Sequence, residues 1–199
     1  MCRAFTYKTP FTPLLLSSNR PLMAPTSLKI IILPLLLLAI PICLEAKPFK
    51  LKQTNIVFYM QEWESGANIT SIPVAGIPKK PWATLAFGTI FAIDDALTES
   101  SDRKSAQVGR AQGIFVNTAL DGTDLHLLMS LVFTNKEYNG STLEIQGADR
   151  QFQKYREVSV VSGTGKFRFA RGYATLETVY LDMPNANAIL RWNVTVLSF

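Results

Sequence analysis

Residues 160–173, VVSGTGKFRFARGY, decide how the rest of the chain is read. Val160 and Val161 lead into a tight turn at Ser162-Gly163-Thr164-Gly165. Phe167 and Phe169 lead out of it, with Lys166, Arg168 and Arg171 interleaved. Period-two alternation is the pattern of a strand with one buried face, so the stretch predicts a β-hairpin. Gly163 and Gly165 permit backbone angles that a side chain would penalise, and Gly172 marks a bulge or a close backbone approach. The same strand–turn–strand texture recurs upstream at Gly109-Arg110-Ala111-Gln112-Gly113 and at Tyr138-Asn139-Gly140-Ser141-Thr142-Leu143.

Working outward, residues 55–63 (NIVFYMQEW) form a strand with Phe58, Met60 and Glu62 on one face. Residues 64–80 read as a long loop, rich in Gly and Pro, of the kind that often carries function. Further strand regions fall at 82–93, 107–118, 125–134 and 141–147. Residues 157–161 and 167–172 flank the opening turn, 173–182 continue it, and 188–197 close the chain. Asp94-Asp95, Asp121 and Asp124 read as solvated turn residues. One face of the 107–118 strand is Gly109, Ala111, Gly113, Phe115 and Asn117. So small a face leaves space in a barrel wall or under a ligand. No window has a long helical period. About eight strands joinable by hairpins predict an all-β fold, a barrel or a sandwich. The barrel is favoured: eight antiparallel strands running up and down, with a central pocket that can hold one small ligand.

The first 46 residues have a different composition. They hold six of the 11 prolines and none of the 11 glycines. They also hold four of the 20 basic residues and one of the 15 acids, which leaves 16 against 14, a net of +2, from Lys47 onward. No basic stripe with interleaved aromatics occurs, which argues against a nucleic-acid partner. The run IIILPLLLLAIPICL follows Lys29 and is broken by Pro34 and Pro41, which suits a secretory signal peptide better than a retained anchor of about 20 apolar residues. Residues 1–46 are therefore expected to be a leader, with Met23 as a candidate start, and 47–199 a single secreted domain without a membrane span. Both cysteines, Cys2 and Cys43, lie in the leader, so the domain must rely on its core rather than on disulfides. Three sequons, at Asn68, Asn139 and Asn193, are candidate glycosylation sites facing solvent.

Elimination narrows the chemistry. The single histidine, His126, reads as an ordinary strand residue, and no GxSxG surrounds any serine. Zinc ligation lacks both Cys and a second His. Gly163-Thr164-Gly165-Lys166 is not followed by a helical pattern, so phosphate binding is not expected. No metal and no cofactor is expected. What remains is carboxylates, Arg and hydroxyls in an apolar cavity, where a buried carboxyl can hold a raised pKa and exchange protons near neutrality. Glu62 and Asp149 stand out because each follows an apolar strand.

Several of these stretches resemble the dirigent proteins of plants: residues 87–98 from Phe87-Gly88-Thr89 to Asp94-Asp95-Ala96-Leu97-Thr98, the GRAQG run at 109–113, residues 138–143, Arg156-Glu157, and the opening hairpin. Gly66-Ala67-Asn68-Ile69-Thr70 also fits, and the register is continuous from about Asn55 to Leu197. The resemblance implies an eight-stranded barrel, commonly a trimer. It also implies a protein with no oxidative activity of its own, which poses monolignol radicals such as those of coniferyl alcohol while a laccase or peroxidase makes them. Lignans of one hand result. That is orientation and discrimination rather than redox catalysis. By position, the resemblance points to Asp149, Arg156 and Thr178 as polar pocket residues that bind the phenol and protonate a quinone methide. Asp149 and Arg156 also fit an ordinary ion pair. The chain departs from the family pattern with Gln61-Glu62 for His-Asp, Phe115 for Tyr, Asn117 at a second Tyr position, and Ser162 for Gly. Glu62 keeps an acid one methylene longer, so Glu62, Asp149 and Arg156 are the candidate catalytic set. Phe115, Asn117 and Thr178 are the candidate substrate contacts.

Three activities fit these residues. One is radical-coupling guidance with a separate oxidase. The second is a lyase or cyclase acting on a single quinone-methide-forming phenol, such as an isoflavanol. The third is a non-catalytic cell-wall or defence protein that binds phenolics or glycans. N-terminal sequencing of the protein secreted from a plant host is expected to begin near Lys47; a chain still carrying 30–44 would contradict the signal-peptide reading.

Overall fold

The structure, a computed structural model, describes residues 50–199. The leader, Met23 and both cysteines lie outside the described residues. Nine strands run in chain order: β1 Lys52–Trp63, β2 Ser71–Ala75, β3 Ile90–Thr98, β4 Gln107–Asn117, β5 Leu125–Phe133, β6 Thr142–Asp149, β7 Arg156–Gly163, β8 Arg171–Asp182 and β9 Asn187–Ser198. Each of β2 to β8 pairs antiparallel with the next, β9 pairs with β1, and β1 pairs with β3. Eight strands thus close a barrel, and closure removes the free edges that would invite aggregation.

The strand outside the eight, β2, continues the edge of β1 along β3. β1 pairs with the second half of β3, at Tyr59 with Thr98 through Gln61 with Ala96, and β2 takes up the first half from Ser71 with Ile93. Twelve residues separate Tyr59 from Ser71, but five separate their partners Thr98 and Ile93, so seven are looped out. The Thr70 N–H bonds the Trp63 carbonyl at 2.8 Å and closes that excursion. The expected loop at 64–80 therefore contains a strand, which Pro73 disguised.

One end of the barrel is filled by aromatic rings. Phe58 stacks on Trp192 with centroids 5.9 Å apart and meets Phe133 edge-on at 6.4 Å. Phe133, Tyr138 and Phe167 pack around one another at 5.0 to 5.7 Å. This plug corrects the expected strand at 167–172. Residues Gly165–Phe167 form a 3₁₀ turn, made possible by Gly165 at φ +59°, and that turn swings Phe167 into the barrel end. Phe169 is then left exposed at φ +62°, and β8 begins only at Arg171. The expected strand at 82–93 is likewise shorter, because 84–88 is turn and pairing starts at Ile90.

The small face of β4 does point inward, but it does not leave free space. A Cβ at Gly113 would lie 2.4 Å from the Leu128 carbonyl oxygen, so the β5 backbone already occupies that room. Asn68 and Asn139 sit exposed in loops, while Asn193 is half-buried on the outer face of β9. His126 is half-buried on β5, opposite Val116 and Ala148.

The plug is a large share of the apolar interior. Trp192→Ala deletes a fully buried ring and its stack, so it should cost about 3–5 kcal/mol. Denaturant unfolding measures this, and a loss below about 1 kcal/mol would contradict the plug.

Candidate functional site

The other end of the barrel is hollow. Along β1 the inward residues pass from Phe58 and Met60 to Glu62, four residues or about 13 Å beyond the stack. Around Glu62 lies a cavity of about 140 Å³, lined among others by Asp149, Arg156, Thr178, Leu125 and Leu190. Its mouth carries Leu85, Phe152, Leu181 and Met183, all exposed and apolar. Apolar walls around a few convergent polar groups are the usual form of a small-molecule site.

Each polar group is fixed by its strand. Arg156, at the start of β7, is buried, and its Nη2 donates to Thr178 Oγ1 at 2.9 Å while Nη1 donates to the Gln151 carbonyl at 3.3 Å. Its Nε lies 3.3 Å from Asp149 Oδ1, close enough for an ion pair but not aligned as a hydrogen bond. That Nε and that oxygen have no hydrogen-bond partner among the described residues. A buried donor and acceptor left in this state are costly in a folded protein, and a guest's hydroxyl could satisfy both.

Burial also sets the protonation. It pushes the Asp149 carboxyl above its ordinary range; Arg156 opposes the rise and Asp124 adds to it. Glu62 is raised well above its usual value, first by burial and then by repulsion from Asp95, Glu64 and Asp149, with Arg156 opposing. Glu64 is raised by burial as well, against a hydrogen bond from the Thr84 hydroxyl. The cavity thus gathers carboxyls that hold protons at higher pH than carboxylates in water, together with one guanidinium. It can donate a proton to a guest and stabilise a developing anion.

Glu62, Asp149, Arg156 and Thr178 are brought together around this cavity. Phe115 and Asn117, the other two expected substrate contacts, are not among its lining residues. Phe115 is core, stacked on Phe91 at 4.7 Å, because the inner face of β4 runs toward packed residues. Asn117 is fully buried, and its Nδ2 donates to the Thr84 carbonyl at 2.7 Å and the Gly122 carbonyl at 2.9 Å. It ties down the loop that presents Thr84 and Leu85 to the cavity. On the far rim, Asn187 Oδ1 accepts from the Glu64 and Ser65 N–H groups and anchors the start of the β1 excursion.

One acid, Asp95, departs from the expected turn role, since it lies buried on β3. Asp94 is exposed and paired with Arg110, as a surface residue should be. Asp95 is fully buried, and neither carboxylate oxygen has a hydrogen-bond partner among the described residues. The Thr70 hydroxyl, the main influence lowering its pKa, is engaged elsewhere, accepting from the Trp63 N–H and donating to the Gln61 carbonyl. Burial dominates and pushes Asp95 up to about 7. The signal was there: Phe91, Ile93, Asp95 and Leu97 continue one inward alternation along β3.

A carboxyl raised from 3.8 to about 7 by folding opposes folding once it ionises. Its cost is absent below the unfolded value, grows as pH rises toward the folded value, and is constant above it. Wild-type stability should therefore fall between about pH 4 and pH 7, by up to about 4 kcal/mol for this group. Asp95→Asn should flatten that part of the curve. Urea unfolding across pH checks this; an unchanged slope in the variant would contradict it.

Comparison with known proteins agrees with this fold and chain register. Residues 53–197 match the family model described as dirigent-like protein. Dirigent protein 23 of Arabidopsis thaliana is 39% identical over 146 residues, which span 73% of this chain and 78% of that one. Pterocarpan synthase 1 of Glycyrrhiza echinata is 35% identical over 149 residues, spanning 74% and 79% of the two chains. The solved structure of a pterocarpan synthase dirigent protein superposes with a TM-score of 0.72 at 34% identity, covering 77% of this chain and 88% of its own. With its matched family model and its closed eight-stranded barrel, this chain belongs to the dirigent protein family.

Proposed function

We propose that the cavity binds a phenolic guest and directs the stereochemistry of a step that passes through a quinone methide. The observation that carries this reading is the group of Glu62, Asp149, Arg156 and Thr178 around one apolar-mouthed hollow. In the first form of the reading the guests are monolignol radicals. A separate laccase or peroxidase removes one hydrogen atom from each phenol, and two radicals couple. The resulting quinone methides are each closed by a side-chain hydroxyl, whose proton ends on the phenolate oxygen. The protein decides which faces meet, and its acids assist closure. The secreted location, the glycans and a homo-oligomer, a trimer in preference to a dimer, belong to this reading as proposals.

A second form has support of its own. A cavity of about 140 Å³ is close to the roughly 150 Å³ that holds one benzene-sized ring, which suits a single phenol with its remainder at the mouth. The pterocarpan synthases among the relatives point the same way. In this form the Glu62 carboxyl protonates a benzylic hydroxyl, which leaves as water. The phenol gives up its proton to Asp149 beside Arg156, and after ring closure that proton passes to Glu62, so both groups return to their starting states. An internal hydroxyl then adds to the methide carbon and its proton returns to the phenol oxygen, so the net change is loss of one water. The Arg156 guanidinium stabilises the phenolate-like oxygen meanwhile.

Chiral chromatography distinguishes the forms. With coniferyl alcohol and an oxidase the first predicts an excess of one enantiomer. With a benzylic-hydroxyl phenol such as an isoflavanol and no oxidase the second predicts turnover. In whichever assay is active, Glu62→Gln should slow the guided product about 10²-fold or more. Racemic coupling together with no turnover of single phenols would overturn both forms and leave a binding role.

A further inference from the structure

Asp95 does not line the cavity, yet it sits next to the one acid that the proposed reading makes the proton donor. The last residues paired between β1 and β3 are Gln61 and Ala96. One step further along the same register places Glu62 opposite Asp95. Directly opposed residues on one face have Cβ atoms about 4.5–5.5 Å apart, and both of these side chains lie on the inward faces of their strands. Pairing of β1 with β3 stops here because the excursion begins, while β1 stays paired with β9 through Glu62 and Trp63. Like charges opposed across two strands repel, and within a barrel the repulsion is weakly screened.

Nothing structural accounts for Asp95. It is fully buried, and both of its oxygens are without hydrogen-bond partners among the described residues. It has no salt bridge there, since Arg110 is taken by Asp94. A group held in that condition is expected where function requires it rather than where packing alone decides. The neighbouring Asp94 shows the contrast, exposed and bonded to both Arg110 and Gln112.

We propose that Asp95 is a positioning residue which acts through Glu62: the two carboxyls oppose each other across the β1–β3 break and together carry no more than one charge near neutrality, so that the pair keeps a proton beside the guest. The inference rests on the reading of Glu62 as the acid of the cavity. Glu64 and Asp149 act on Glu62 in the same direction as Asp95, but less strongly than Asp95, and Arg156 acts against them. On Asp95 itself, Asp94 and Glu64 favour the neutral form and Arg110 the charged one. Asp95 is thus the foremost charged neighbour of Glu62, and it reaches neither solvent nor guest. Two acids that share protons in this way titrate as a unit, the second proton leaving only at higher pH.

The test is a carboxyl titration by carbon-13 NMR on purified protein labelled at Glu and Asp, with the Glu62 signal identified by its loss in Glu62→Gln. In the unmodified protein the Glu62 signal should show two inflections, one as the pair gives up its first proton and one, at higher pH, as it gives up the second. Asp95→Asn and Asp95→Ala both remove the charge, and in both the Glu62 midpoint should fall by about one pH unit or more. The alkaline limb of the pH–rate profile should move to lower pH by the same interval. A single inflection in the unmodified protein, an unmoved midpoint in the variants, or a shift in Asn but not in Ala would each overturn the inference. The titration needs no substrate. A protein with the two-step curve but without product would refute the phenolic reading and leave the carboxyl pair standing, whereas product with a one-step curve would do the reverse.

Discussion

Closing a sheet on itself takes every second side chain along each strand out of reach of water, and the rest of this structure depends on that constraint. The ladder from β9 through β1 to β3 completes the closure. Apolar residues gain from enclosure, at about 25 cal/mol per Å² removed from water. Carboxyls and guanidinium groups lose hydration instead and must find partners or give up charge. The barrel answers differently at its two ends. One is filled by rings around Phe58, Trp192 and Phe133, and the other holds Glu62, Asp149 and Arg156 around unfilled space.

That division links stability to function. The packed end supplies the rigidity that a guiding pocket requires, since posing a guest depends on walls that do not yield. The hollow end carries the energetic debts: an ion pair at 3.3 Å that is not a hydrogen bond, and an orphaned carboxyl on β3. Two loops of its rim are held by side-chain amides. Asn117 holds the loop at Thr84, and Asn187 holds the loop at Glu64. The break between β1 and β2 belongs to the same economy of structure. An unbroken ladder would run past Glu62, whereas the seven-residue excursion opens the wall beside it.

Much of this was legible in the chain. β5 and β9 declare themselves by alternation, as in LHLLMSLVF, where every second residue is buried. The barrel follows from counting such runs and from the absence of a helical period. Glu62, Asp149 and Arg156 were reached by combining elimination with resemblance. The misreadings share a cause, which is that local pattern was asked to report on distant contacts. Asp-Asp looks like a turn until its second member is set in register with Phe91 and Ile93. Phe167 and Phe169 alternate as strand residues do, but the open barrel end recruits one of them through a 3₁₀ turn. Phe115 and Asn117 lie on the inward face, as expected, yet the hollow occupies only one end of the barrel. The bond from Arg156 to Thr178 depends on β7 pairing with β8 in a particular register, which periodicity does not specify.

The claim at the centre of this account is that the barrel's ionisable groups surround a guest. A crystal of the protein soaked with a phenol that lacks a benzylic leaving group addresses it most directly. The account predicts the ring inside the barrel, with its hydroxyl within hydrogen-bonding distance of Arg156 Nε or Asp149 Oδ1, two cavity-side atoms without hydrogen-bond partners among the described residues. A phenol bound only on the outer wall, with the space beside Glu62 unchanged, would contradict it.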